Sequence, residues 1–117
     1  MENLFIDHVD TEWYFRAINY GFRIYAIEGD YASHKIGDLN LRFIGRDYNV
    51  HSPLRIYYRT RNTVYLSRFS YIPIYWKIKS FVTMFYRVVI FTLLIKGSRL
   101  KYFRSYFNGI YDGLFLK

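Results

Sequence analysis

The net positive charge of this chain is confined to residues 68–117, which also contain its most apolar stretch. These residues hold nine of the 17 lysines and arginines but only one of the nine acidic residues. Residues 1–67 hold eight basic and eight acidic residues, so the formal net charge of +8 belongs to the later segment. A basic, aromatic segment suits an anionic surface, either a membrane or a nucleic acid, whereas a neutral segment with clustered carboxylates suits a chemical site.

The composition excludes several classes of protein. Hydrophobic residues make up 52% of the 117 residues and aromatic residues 23%, which is too much apolar surface for a disordered tail. The absence of cysteine excludes a disulfide scaffold, a thiol nucleophile and a zinc site built on thiolates. The first residues lack the basic start and apolar stretch of a secretory signal. We therefore expect an intracellular chain of at most one ordinary domain.

The first part of the chain is expected to combine one helix with extended segments. The pattern predicts a helix over residues 11–20, capped by Asp10 or the residue after it. Residues 22–27 are rich in aromatic and β-branched side chains and predict a strand. Residues 37–50 have little periodicity and predict a long loop.

Three further helices are predicted in the later part of the chain. Ser52 and Pro53 are a typical N-cap and first helical position, and the helix that they begin is expected to run to about residue 69. A second helix is expected over residues 74–95, and Ser98 can cap a third. In that third helix apolar residues recur at steps of three and four, namely Leu100, Phe103, Phe107, Ile110 and Leu114.

The most apolar stretch, residues 81–95, is not expected to span a bilayer. A spanning helix needs about 20 apolar residues. Arg87 lies near the centre of the stretch, where an arginine adds about 2.5 kcal/mol or more to the cost of insertion. The later helices can instead lie in the membrane interface, or they can pack on one another as an ordinary core. The scarcity of acidic residues favours the membrane interface.

Titratable residues cluster just before and inside the first predicted helix, namely Asp7, His8, Asp10 and Glu12. A carboxylate at such a place can act as a general base or bind a cation. The alternative interpretation is that Asp10 only caps the helix and Glu12 complements its dipole. The sequence contains neither a glycine-rich phosphate loop nor a zinc-protease pattern.

Four short motifs in a fixed order resemble those of a known family. Residues 5–16, FIDHVDTEWYFR, resemble the acceptor-side motif of family 2 glycosyltransferases of the GT-A fold, most of all the bacterial dTDP-rhamnosyltransferases. Residues 21–25 (GFRIY), 34–38 (HKIGD) and 57–62 (YYRTRN) are similar to later elements of that family. The resemblance extends over nearly the whole chain.

The resemblance implies an α+β, mostly helical fold: the C-terminal portion of a Rossmann-like GT-A glycosyltransferase with a few strands, followed by amphipathic helices. Residues 1–50 would belong to the acceptor side of the catalytic domain, and residues 51–117 would form a basic, aromatic, membrane-associated tail. The family's nucleotide-binding βαβ region, with its Asp-x-Asp motif, has no counterpart in this sequence. We therefore expect a fragment that is inactive in isolation and that can self-associate through the surface left uncovered.

The resemblance also implies roles for single residues on the acceptor side. Asp10 takes the place of the catalytic base that removes the proton of the acceptor hydroxyl. Asp7, Glu12 and Trp13 take the places of residues that bind the acceptor.

The resemblance further implies where the diphosphate and its cation are held. His34 takes the place of a histidine that helps to hold Mg²⁺ or Mn²⁺ on the diphosphate of the donor in the complete enzyme. Arg59 and Arg61 are expected to bind phosphate.

The implied function is the transfer of rhamnose, with inversion, from dTDP-rhamnose to a lipid-linked oligosaccharide in surface polysaccharide synthesis (O-antigen or capsule). The expected partners are the nucleotide-sugar donor, the lipid-linked glycan acceptor and an anionic membrane, with the chain peripheral on the cytoplasmic face of the cell membrane. The alternative is a membrane-surface or interaction module without catalytic activity. Nucleic acid is not an expected partner, because the aromatic residues recur at helical spacing and no recognised nucleic-acid motif is present.

Overall fold

The structure is a computed structural model, and it describes residues 3–25, 39–43, 46–94 and 98–116. These residues contain four helices and one hairpin. The helices are α1 (Val9–Asn19), α2 (Pro53–Ser67), α3 (Ile74–Leu94) and α4 (Arg99–Phe115). The strands β1 (Leu39–Phe43) and β2 (Arg46–Val50) pair antiparallel, with Leu39 opposite Val50 and Phe43 opposite Arg46.

The start of α2 follows from two neighbouring residues. Ser52 Oγ accepts a hydrogen bond from the Arg55 amide at 3.3 Å, and Pro53 occupies the first helical position. The serine satisfies one of the amides that a helix start leaves without a partner, and proline has no amide to satisfy. The predicted start of this helix is therefore confirmed.

The start of α1 differs from the prediction. The residue before the helix is His8, with a left-handed φ of 69°, and no side chain caps the helix. The prediction that Asp10 is the cap is therefore wrong, because the helix already begins at Val9. Its end agrees with the sequence, since Gly21 follows with a φ of 85°, a conformation that glycine adopts without strain.

Two glycines let α4 pack against α2 at very short distance. A Cβ atom at Gly109 would lie 2.8 Å from the Tyr57 carbonyl oxygen, and one at Gly113 would lie 2.6 Å from the Arg61 carbonyl oxygen. The glycines are four residues apart and so share one helix face. This close contact makes the pair of α2 and α4 the centre of the fold.

The apolar residues that the fold buries form two clusters. One lies among α2, α3 and α4 and contains Ile56, Met84, Ile90, Phe91, Tyr102 and Tyr106. The other joins the N-terminal segment to the end of α2 and the loop after it, and contains Leu4, Tyr65, Leu66 and Ile72. The segment before α1 therefore shares a core with the later helices.

Four of the five apolar residues predicted as a stripe on α4 lie on the exposed side of that helix, whereas the fifth, Ile110, is half-buried and packs against the core. Leu100 is 85% exposed, Phe107 56% and Leu114 54%, whereas the buried face carries Tyr102 and Tyr106 beside the two glycines. Helix α3 has an exposed apolar stripe too, made of Ile78, Val82, Phe85 and Val89. We call these four exposed α3 residues the α3 stripe. We call four exposed residues of α4 the α4 stripe, namely Leu100, Phe103, Phe107 and Leu114. In the described part of the chain, no helix has the length and apolarity needed to cross a bilayer.

The expected GT-A portion of the fold is wrong. Within the described ranges there is no parallel sheet, and the strands that are present form a hairpin where a loop is predicted. Residues 22–25 of the predicted strand have no regular structure, and residues 26–27 lie outside the described ranges. An extended segment needs a neighbouring strand to satisfy its backbone, and none of the described residues forms one beside 22–25. The mostly helical character is confirmed.

Candidate functional site

An open cavity of about 480 Å³ lies where the start of α1 meets α2 and α3. The segment around the start of α1 contributes Asp7, His8 and Thr11 to its wall. Helices α2 and α3 contribute the polar side chains Arg59, Thr60, Thr63, Lys79, Ser80, Thr83 and Arg87. A cavity of this size has room for a small ligand.

Helical spacing explains why these side chains share one wall. The α2 residues that line the cavity are three or four positions apart, namely Ile56, Arg59, Thr60 and Thr63. The same steps connect the α3 residues, namely Trp76, Lys79, Ser80, Thr83, Met84 and Arg87. Residues at such steps lie on one face of a helix, so the facing sides of α2 and α3 form most of the cavity wall.

The cavity carries an excess of positive charge. Asp7 is the carboxylate in its wall, and it already forms an ion pair with Arg55, from Oδ2 to Nε at 3.3 Å. In the part of the chain that the structure describes, neither Arg59 nor Arg87 forms an ion pair with a carboxylate. Burial and the nearby charge of Arg87 lower the pKa of Arg59.

His8 lines the cavity as a neutral group. Burial and the charge of Arg59 lower its pKa from 6.5 to about 4. Its Nε2 atom lies 3.0 Å from Thr63 Oγ1, and its ring meets the Trp76 ring edge-on with centroids 5.3 Å apart. At neutral pH His8 therefore adds no charge to that of the cations in the cavity.

A buried tyrosine hydroxyl adds a hydrogen-bond donor to the wall. Tyr106 lines the cavity and is 4% exposed, and burial raises its pKa to about 12. The phenol therefore keeps its proton at neutral pH and can donate to a ligand.

The structure places the two carboxylates nearest to the helix start in different surroundings. Asp7 lies in the cavity wall and pairs with Arg55. Asp10 lies in the first turn of α1, is exposed, and is not among the residues that line the cavity. Their predicted roles in acceptor binding and catalysis stay predictions.

The other two predicted acceptor residues on α1 also differ from each other. Glu12 is 2% exposed, and its Oε1 accepts hydrogen bonds from Arg16 Nε at 2.9 Å and from the Tyr71 hydroxyl at 2.7 Å. Trp13 is 58% exposed on the surface. Glu12 thus holds α1 to the loop after α2, whereas Trp13 is free to meet a ligand from solvent.

The two arginines predicted to bind phosphate point to different neighbours. Arg59 lines the cavity. Arg61 donates to the Asn3 carbonyl at 2.6 Å and to Asn62 Oδ1 at 3.1 Å, and its guanidinium lies 4.9 Å from the centre of the Tyr58 ring. Arg61 is thus engaged on another face of α2, away from the cavity.

The predicted metal site falls outside the description. His34 lies beyond the described ranges. Among the residues that the structure describes, no group of three His, Asp or Glu side chains is placed to hold a metal ion.

The sequence pattern missed Lys79 and Arg87 as site residues. In the sequence, Arg87 is noticeable only as a charged residue within an apolar stretch. The signal was present, since polar residues recur at steps of three and four along this apolar helix, at 79, 80, 83 and 87. A polar stripe on one face of an apolar helix indicates a lined cavity as readily as a solvated surface.

Comparison with known proteins gives one clear similarity. The chain is 35% identical over 115 residues, which are 97% of its length, to dTDP-rhamnosyl transferase RfbF of Shigella flexneri. The match spans 38% of that protein. No family model and no solved structure matches the chain. The expected resemblance to rhamnosyltransferases is confirmed.

Proposed function

We propose that this chain forms the acceptor-side, membrane-docking part of an inverting rhamnosyltransferase. The observation that carries the proposal is the 35% identity to dTDP-rhamnosyl transferase RfbF over nearly the whole chain. Because the match covers 38% of that protein, we assign the complete activity to an enzyme of which this chain supplies one part. The donor is dTDP-rhamnose, and the acceptor is a lipid-linked oligosaccharide in the synthesis of an O-antigen or capsule.

In this reaction a hydroxyl group of the acceptor attacks the anomeric carbon of rhamnose. The new C–O bond forms as the bond to the diphosphate breaks, the configuration inverts, and dTDP leaves with the bonding electrons. Asp10 takes the proton of the acceptor hydroxyl, which is otherwise a poor nucleophile. Its exposed position in the first turn of α1 supports this role, because a large acceptor can reach it from solvent.

A divalent cation that neutralises the leaving diphosphate is part of the implied chemistry. The described residues include no set of ligands for such an ion, and so we derive no step through it. A role of His34 as a ligand of Mg²⁺ or Mn²⁺ in the complete enzyme stays a prediction.

The exposed apolar stripes support attachment to a membrane. The α3 stripe residues are between 56% and 63% exposed, and the α4 stripe residues between 44% and 85%. Exposed cations stand on α4 as well, at Lys101 and Arg104. Apolar side chains that enter the acyl boundary and cations that meet anionic headgroups are typical of helices that lie on a membrane. We place the chain on the cytoplasmic face of the cell membrane, where a lipid-linked acceptor is within reach.

The proposal can be tested by exchanging segments. A chimera of the Shigella transferase in which this chain replaces the matching segment should transfer labelled rhamnose from dTDP-rhamnose to a lipid-linked acceptor. The 117-residue chain alone should not do so. A chimera that folds, binds membranes and shows no transfer would contradict the enzyme assignment and favour a membrane-surface module without catalytic activity.

A further inference from the structure

We propose that the cavity between α1, α2 and α3 is a diphosphate-binding site, in which Arg59, Lys79, Arg87 and Tyr106 hold the anion. Only the identity of the molecule that carries the diphosphate rests on the proposed function. The binding itself rests on the charge, donors and volume of the cavity.

The first argument is the unbalanced charge of the cavity. Arg59 and Arg87 both line it without a carboxylate partner in the described part of the chain, and Lys79 adds a third cation. Like charges in a half-buried cavity repel each other, and an anion that binds between them offsets this repulsion. Asp7 cannot supply that anion alone, because it is paired with Arg55.

The second argument is the chemistry of the donors. A guanidinium group binds phosphate oxygens through two parallel N–H donors, and two such groups can hold both phosphates of a diphosphate. The Tyr106 hydroxyl, held in its protonated form, is a neutral donor in the same wall. The site thus offers donors and no free carboxylate, which suits an anion with several charges better than a neutral sugar.

The third argument concerns access. On α3 most of the cavity residues and the α3 stripe lie on opposite sides of the helix, because Ser80, Thr83 and Arg87 are offset from the stripe positions by about half a turn. When the stripe lies on a membrane, the cavity therefore stays open toward the protein and solvent. Its 480 Å³ leave room for part of the group attached to the diphosphate.

Calorimetry tests the site on the 117-residue chain in neutral detergent, with inorganic diphosphate as the probe. Saturable binding is expected, and Arg59→Gln and Arg87→Gln should each weaken it by about tenfold or more. Arg104→Gln is the matched control, because Arg104 is an exposed arginine of α4 outside the cavity, and it should change the affinity by less than about twofold. Equal losses in all three variants, or no saturable binding, would overturn the proposal.

Thermal unfolding guards against variants that fail to fold. Arg87→Gln removes one of three like charges in the cavity, so the ligand-free Tm should not fall, whereas the rise in Tm caused by diphosphate should become much smaller. Arg87→Lys, which keeps the charge but not the planar pair of donors, should retain a smaller rise. A full rise in both variants would exclude Arg87 from the site.

Two further ligands identify the source of the diphosphate. Tighter binding of dTDP than of inorganic diphosphate assigns the site to the nucleotide, and tighter binding of farnesyl diphosphate assigns it to the lipid-linked acceptor. If the cavity binds neither dTDP nor farnesyl diphosphate more tightly than it binds inorganic phosphate, the inference is overturned. These binding experiments do not measure sugar transfer. A failure of the diphosphate inference can therefore be told apart from a failure of the chimera to transfer rhamnose.

Discussion

The side-chain amide of Asn62 donates a 2.7 Å hydrogen bond to the backbone carbonyl of Asp7, and so α2 determines where the cavity's carboxylate lies. The same amide donates to the Phe5 carbonyl at 3.0 Å. Ile6 and His8, which alternate with these residues, both have a φ of 69°. The asparagine of the YYRTRN motif therefore holds a sharply turned segment in place.

Loss of this contact should destabilise the fold. Asn62 is fully buried, and Asn62→Ala leaves two carbonyls without their donor, so the free energy of unfolding should fall by about 3 kcal/mol. Urea unfolding followed by circular dichroism measures the change. The exposed Asn108 of α4 provides the control, and Asn108→Ala should stay within about 0.5 kcal/mol of the parent. Equal stability of the two variants would show that the hydrogen bonds of Asn62 to Phe5 and Asp7 do not stabilise the fold.

The glycines of α4 make a second prediction. In an open helix, Gly→Ala raises the free energy of unfolding by about 1 kcal/mol. Gly113→Ala should instead lower it by about 2 kcal/mol, because the new Cβ would lie 2.6 Å from a backbone oxygen that cannot turn away. Chemical unfolding distinguishes the two signs, with Arg104→Ala on the exposed side of α4 as the control. A stabilised Gly113→Ala variant would mean that α2 and α4 do not approach so closely.

Stability should fall as the pH falls from about 6.5 to about 4, through His8. Because the folded-state pKa is about 4 and the ordinary value is 6.5, the unfolded chain binds more protons than the folded chain in this window. The His8 contribution is therefore complete above pH 6.5, and about 3 kcal/mol of it is lost by pH 4.

The measurement compares the parent with His8→Asn, since asparagine tolerates the left-handed backbone at this position. Unfolding free energies at pH 7 and pH 5 should diverge between the two proteins, with the parent losing more stability. Parallel pH profiles would show that His8 is not buried as described.

The catalytic assignment of Asp10 predicts an effect on transfer alone. In the segment-exchange chimera, Asp10→Asn should reduce rhamnose transfer by about 100-fold or more, because the acceptor hydroxyl loses its base. Thermal unfolding and diphosphate affinity should not change, because Asp10 is exposed and lies outside the cavity wall. Transfer at the parent rate would remove Asp10 from the role of base.

The apolar stripes predict binding to vesicles. The 117-residue chain should float with anionic vesicles and be released as salt is raised, whereas Phe85→Glu combined with Phe107→Glu should abolish flotation. Leu54→Glu is the matched control, because Leu54 is 61% exposed on α2 but belongs to neither stripe. If the chain instead sediments as a dimer and does not float, a second copy covers the stripes.

The sequence by itself determined the helices of this protein, because their signals are local. Ser52 and Pro53 mark the start of α2, and the spacing of apolar residues marks α3 and α4. It also determined the resemblance to rhamnosyltransferases, which depends on order and spacing. The strand predicted at residues 22–25 is absent, because a segment of strand-forming residues is stable as a strand only beside another strand.

Tertiary structure alone decided which helix faces are buried. Most of the apolar stripe predicted on α4 lies on the exposed side, since the contact with α2 depends on the absence of side chains at Gly109 and Gly113. It also brought Arg59 and Arg87, from different helices, into one cavity. Close approach of backbones and charges that meet across helices are non-local, and so no pattern along the chain contains them.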